Sequence, residues 1–252
     1  MADRRYDVST YGERIAEVYD DLPRVPANTE RAVEFLAANA GRGPILELGI
    51  GTGRLALPLV QRGFVVDGID ASPAMVARLR AKPGGERVTV AMGDFADMAI
   101  AGRFSLIFVA FNTFFGLLTQ EAQIRCFRGV AEHLTDDGRF VIEAFVPDLS
   151  RFTHGQRVGA TDVGVDAVHL ETSVHDPVAQ RVRSQQVVIT ERGVRLYPVE
   201  VRYAWPSELD LMARLAGLRL RERWAGWSRE AFGASSGAHV SVYERAGQER
   251  NP

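Results

Sequence analysis

Residues 44–70 read PILELGIGTGRLALPLVQRGFVVDGID, and this stretch constrains the fold more than any other. A short apolar run carrying one glutamate, Glu47, meets a turn with glycines at 49, 51 and 53. A helical pattern and a second β-branched run follow. Strand, tight turn, helix and strand in that order make a parallel crossover unit, in which ligands bind beyond the carboxyl ends of the strands. A carboxylate within a buried strand is costly unless a ligand or the turn uses it.

The rest of the chain extends the alternation. Strands are expected at 44–48, 64–69, 87–91, 104–111 and 139–145, with helices from Asn28 to the glycine stop at 41, at 54–62, from Ser72 and at 120–134. Ser72 followed by Pro73 is a strong helix start, combining a capping hydroxyl with a ring suited to the first helical position. Ahead of these, residues 1–27 read as a short helix and a turn broken by Pro23 and Pro26. The rhythm changes at 166–204, where apolar and polar residues alternate between turn signals at Asp176-Pro177 and Arg192-Gly193. Three antiparallel strands are expected there. A helix at 207–216 and strands near 218–224 and 239–243 complete the pattern.

The expected fold is α/β: a Rossmann-like, seven-stranded, mostly parallel sheet with helices on both faces and an antiparallel β insertion after the fifth strand. The corresponding division is an N-terminal cap (1–27), a cofactor-binding core (28–150), the insertion (151–205) and a return to the core sheet (206–252). The length of 252 residues suits such a layout. With 30 basic and 32 acidic residues the formal charge is -2, which offers no net attraction for a polyphosphate backbone. One cysteine excludes an internal disulfide and a four-thiolate cluster. The start MADRRYDVST has no apolar signal core, so a cytoplasmic location without membrane attachment is expected.

Three acids surround the glycine turn in sequence terms. Glu47 precedes it, Asp70 ends the second strand 21 residues after Gly49, and Asp94 follows the third strand in MGDF. The Asp70 spacing is near the roughly 20 residues at which an acid meets a ribose hydroxyl pair. A dinucleotide fingerprint would read G-x-G-x-x-G and receive a pyrophosphate, whereas this chain has G-I-G-T-G among carboxylates. Such a ring repels an anion and favours a nucleoside carrying an ammonium and a sulfonium. S-adenosylmethionine meets that description.

The residues LELGIGTG (46–53), GIDAS (68–72), GDF (93–95) and FVAFNTFF (108–115) resemble the class I S-adenosylmethionine-dependent methyltransferases. AEVYDDL (16–22), NTFF (112–115), the β insertion and LDLMARLAGL (209–218) are similar to small-molecule and peptide N-methyltransferases of bacterial secondary metabolism, including amino-sugar N,N-dimethyltransferases and cypemycin-type α-N-methyltransferases. The resemblance implies that Glu47 sits under the methionine ammonium or organises the turn, and that Gly49, Gly51 and Gly53 shape the methionyl site. It gives Asp70 the ribose hydroxyls, Ala71 and Met75 the flanks of the adenine, and Asp94 and Phe95 its edge and face. Ala110 and Phe111 would approach the methionyl chain, and Tyr19 would close the pocket. Arg54 is either a partner for the methionine carboxylate or an exposed helix-start residue.

The implied reaction is methyl transfer to an amine of a small molecule, amino sugar or peptide terminus, with Asn112, Thr113, Glu143 and Tyr11 as candidate polar groups around that amine. An oxygen or carbon acceptor is the alternative. A nicotinamide oxidoreductase lacks its fingerprint here, and F-N-T-F differs from the N-P-P-Y type of base-amino methyltransferases. The five histidines show no metal-ligand spacing, so no metal is expected. Phe111, Phe114, Phe115 and the three tryptophans read either as acceptor wall or as core. Cys126 is expected to be buried and inert, and His133 to end a helix. The insertion, as acceptor lid or subunit surface, suggests a homodimer.

Overall fold

A computed structural model describes residues 6–21 and 28–247. Pro23 and Pro26, expected to break the N-terminal pattern, lie outside the described residues. The seven-stranded sheet contains β1 (Ile45–Leu48), β2 (Val66–Asp70), β3 (Thr89–Met92), β4 (Phe104–Val109), β5 (Leu134–Phe145), β10 (Leu218–Trp224) and β11 (Ala238–Arg245). Their order is β10-β11-β5-β4-β1-β2-β3. All pairings among β1 to β5 are parallel, and β11 runs antiparallel to both its neighbours. Strand order reverses at β1, with β2 on one side and β4 on the other, so the glycine turn sits at the switch point where such sheets bind ligands.

Helices cover both faces, as the alternating pattern requires. One apolar cluster joins the sheet to α5 (Gln120–His133) and α6 (Pro206–Leu215), and another joins it to α2 (Thr29–Asn39) and α3 (Ala56–Gln61). β1 and β4 are buried along their whole length, as strands covered on both faces must be. Cys126 is fully buried within the first cluster. In α4 (Pro73–Arg80), Ser72 caps the helix by accepting from the Met75 N–H at 3.2 Å. Asn28 stands at the corresponding position of α2, but its side chain makes no capping bond.

The three antiparallel strands expected within 166–204 are present, and a fourth that the alternation does not predict precedes them in the same sheet. β6 (Gln156–Val163), β7 (Ala167–Asp176), β8 (Arg181–Thr190) and β9 (Gly193–Arg202) form a separate sheet in sequence order. β6 escaped the periodic reading because it is an edge strand containing Gly159, and its register shifts between Ala160 and Asp162. The core-facing side of this sheet buries Ser173 and Tyr197. Its other side exposes Val158, Val174, Ile189, Val194 and Leu196. Near the N-terminus, α1 (Thr10–Ile15) packs Ile15, with Ala16 just after the helix, against Tyr197 and Met75.

Candidate functional site

The site grows out of the turn after β1. Gly49, Gly51 and Gly53 all have positive φ, at 69°, 57° and 81°, a conformation that costs glycine little. At Gly49 space is also decisive, since a Cβ there would lie 2.4 Å from Cγ2 of Thr113. Thr113 is thereby placed against the turn, with the Phe95 ring close by. Ile50 turns its side chain into the sheet, over Gly68, where a Cβ would meet it at 2.4 Å.

Asp70 ties the second strand to this turn. One of its oxygens accepts from the Gly51 N–H at 2.7 Å and the other from the Ser72 N–H at 2.8 Å. Each oxygen keeps a further acceptor position, which matches a pair of ribose hydroxyls. Burial pushes the Asp70 carboxyl above its ordinary value, against the pull of these N–H groups. Ala71 and Asp94 are half-buried, Met75 and Phe95 buried, and Asp94 accepts from the Ala96 N–H at 2.8 Å.

Glu47 is fully enclosed in β1. Burial, resisted by the Arg54 cation and reinforced by the Asp70 charge, raises its carboxyl to about 8. Its Oε2 is buried without a hydrogen-bond partner. Such an orphan acceptor beside a glycine turn is what a ligand ammonium would satisfy. Arg54 donates to Thr29 Oγ1 at 3.1 Å and lies 5.6 Å from the Phe111 ring centroid. Above these groups, Tyr19 has its phenol raised by burial, with the Arg54 cation opposing and the Glu47, Asp20 and Asp70 charges adding to the rise.

The N-terminal segment is fastened over the site by polar contacts. Glu13 accepts from Ser72 Oγ at 2.7 Å and from the Ala74 N–H at 2.9 Å. Asp20 accepts from Thr52 Oγ1 at 2.6 Å and pairs with Lys82 Nζ at 2.7 Å, while Lys82 also donates to the Thr52 carbonyl. Thr52 belongs to the glycine turn itself, so this contact latches the Tyr19 segment onto it. Periodicity carries no signal for a clasp between residues this far apart.

The end of β4 forms the opposite wall. Ala110 is buried, and Phe111 and Asn112 follow with φ of 55° and 64°. Two consecutive non-glycine residues in the left-handed region cost about 1–3 kcal/mol each and persist only where surroundings enforce them. Enforcement comes from β5. Glu143 Oε2 accepts from the Phe111 N–H at 2.8 Å, and the Asn112 N–H donates to the Glu143 carbonyl. Asn112 Oδ1 in turn accepts from the Phe145 N–H at 2.7 Å. The other Glu143 oxygen accepts from the Trp227 indole at 2.8 Å. Of the four residues expected around an acceptor amine, Asn112 and Glu143 are therefore engaged with backbone and indole, Thr113 faces Gly49, and Tyr11 packs with Ile15 and Met75. Phe114 and Phe115 are core, Trp227 is buried against Phe35, and Trp205 is exposed. Among the described residues no group of three or more metal-ligating side chains comes together.

Residues 45–138 match the model of a methyltransferase domain family. The chain is 45% identical to the CcbJ methyltransferase from Streptomyces caelestis, covering 96% of this chain and all of that one, with a TM-score of 0.91. The chain belongs to the class I S-adenosylmethionine-dependent methyltransferases. This methyltransferase is also 28% identical to a cypemycin N-terminal methyltransferase of a Streptomyces species, over 95% of its own length and 99% of the relative's. Its fold is shared by the S-adenosylmethionine-bound structure of CalS10, an amino pentose methyltransferase from Micromonospora echinaspora, at 20% identity and a TM-score of 0.69 over 97% of this chain and all of that one. The methyltransferase fold and cofactor expected from the glycine turn and its acids are thus borne out.

Proposed function

We propose that this methyltransferase transfers a methyl group to an amine nitrogen of a small molecule, amino sugar or peptide terminus. The observation that carries this reading is its likeness, over nearly the whole chain and so including the second sheet, to a protein that methylates a peptide N-terminus. Bound S-adenosylmethionine supplies a methyl group on a positively charged sulfur, a bond already primed for in-line displacement. The chain's own share is alignment and exclusion of water. Asp70 would receive the ribose hydroxyls, Ala71, Met75, Asp94 and Phe95 the adenine, and Glu47 the ammonium. Gly49, Gly51 and Gly53 would let the methionyl portion approach the backbone, with Arg54 toward its carboxylate and Ala110 and Phe111 beside its chain. Tyr19 would close over them.

The acceptor amine must be neutral to attack. Desolvation by Tyr19 and the second sheet is the account of proton loss we favour, with Glu143 held in place by the Phe111 N–H and the Trp227 indole. The division of labour we favour is a cap at 1–27, a cofactor core at 28–150, an acceptor lid and subunit surface at 151–205, and the return at 206–252. The exposed apolar side of the second sheet suits a second copy of the chain, and a net charge of -2 gives no pull toward nucleic acid. Among the described residues no helix is long and apolar enough to cross a membrane, and we place the enzyme in the cytoplasm. Incubation with methyl-labelled cofactor and extracts of the native host should yield a labelled N-methyl product. Label recovered only on oxygen or carbon would reject the amine acceptor.

A further inference from the structure

Glu143 stands on β5, an interior strand beside β4, and is half-buried. Its two carboxylate oxygens bridge two segments far apart in sequence: the Phe111 N–H after β4 and the Trp227 indole in the loop between β10 and β11. What hangs on the first of these bonds is the left-handed pair Phe111–Asn112. The pair sets two groups at the glycine turn. The Phe111 ring lies beside the Arg54 guanidinium, and Thr113 fills the space that a Cβ on Gly49 would need. Removing the acceptor for the Phe111 N–H would let φ at Phe111 relax toward the ordinary region, carrying the ring away from Arg54 and Thr113 away from the turn.

The geometry points to Glu143 as a positioning residue that holds the Phe111–Asn112 turn in the shape the cofactor requires. It acts through the backbone and touches neither cofactor nor acceptor. The inference rests on the cofactor lying over the glycine turn, as proposed above. It separates the two bonds: the one to Phe111 shapes the site, and the one to Trp227 anchors the carboxylate.

The test measures S-adenosylmethionine affinity by calorimetry, well below the melting temperature, for five variants. Glu143→Leu removes both acceptors and should weaken binding about tenfold, the loss of one hydrogen bond to a charged group. Glu143→Gln retains one acceptor oxygen, can still serve Phe111, and should restore most of the affinity. Trp227→Phe deletes only the indole donor and should lower the melting temperature while leaving affinity within about twofold of wild type. Should Glu143→Leu not fold, Glu143→Asp carries the test, since it keeps the charge but withdraws the carboxylate by one methylene. Asp70→Ala is the control for the site. If Asp70→Ala loses binding while Glu143→Leu or Glu143→Asp binds as wild type, this inference is overturned and the site reading stands. If Asp70→Ala binds normally, the site reading falls and takes the inference with it. A purely structural Glu143 would show lowered melting temperatures with unchanged affinity in the folded protein, which also overturns it.

Discussion

At the scale of single residues, Glu47 is the most exacting group in the site. Its carboxyl titrates near 8 in the folded chain against an ordinary 4.5, so the fold holds a proton there that the unfolded chain would release. A group raised in this way contributes its stability below about 4.5, and that contribution fades as pH climbs through about 8. A ligand ammonium reverses the preference, because it pairs with the ionised form. Cofactor affinity is therefore expected to rise between about pH 6 and 8, at most tenfold per unit, with proton release visible as a dependence of the binding heat on buffer ionisation enthalpy. In Glu47→Gln, affinity should be lower and nearly flat over the same range. Flat wild-type binding would mean that Glu47 does not face the ammonium. Much at this scale was legible in the sequence. Asp70, Gly49 and Ser72 announced themselves by type and spacing, because backbone turns and helix caps are local. Trp227 gave no such notice, since its bond to Glu143 spans 84 positions.

Among elements, the N-terminal segment is held to the core by contacts that differ in kind. Glu13 completes the start of α4, a local continuation of the Ser72 cap. Asp20 and Lys82 form a partly exposed ion pair, and burial works against the Asp20 charge while the Lys82 and Thr52 bonds hold its carboxyl below the ordinary value. Exposed pairs are worth at most about 1 kcal/mol, so this pair is a small part of what opening the latch would cost. Asp20→Asn should speed release of S-adenosylhomocysteine up to about fivefold, measured by stopped-flow fluorescence, with wild type approaching the variant as salt screens the pair. An unchanged release rate in Asp20→Asn would remove the latch from the cycle. The parallel strands and their helices were readable because hydrophobic runs and caps repeat. The edge strand β6 was not, because a one-sided strand with a glycine and a bulge has little periodicity to show.

For the molecule as a whole, the second sheet decides what the enzyme can become. Val158, Val174, Ile189, Val194 and Leu196 are exposed on one side, the side proposed above to meet a second copy of the chain. Sedimentation is expected to give a dimer, and Leu196→Glu, placing a charge on that side, should shift it to monomer while leaving cofactor affinity intact. A wild-type monomer across micromolar concentrations would assign the face another role. The order of the large sheet bears on how the protein comes into being. β11, the last of the described strands in chain order, wedges between β5 and β10, and Trp227 lies in the loop that leads into it. A nascent chain emerging from the ribosome therefore leaves β5 without its outer neighbour until β11 has followed the ten strands before it. Competence to hold the cofactor should wait for β11, so that a strand distant in the chain closes the sheet on which the glycine turn depends.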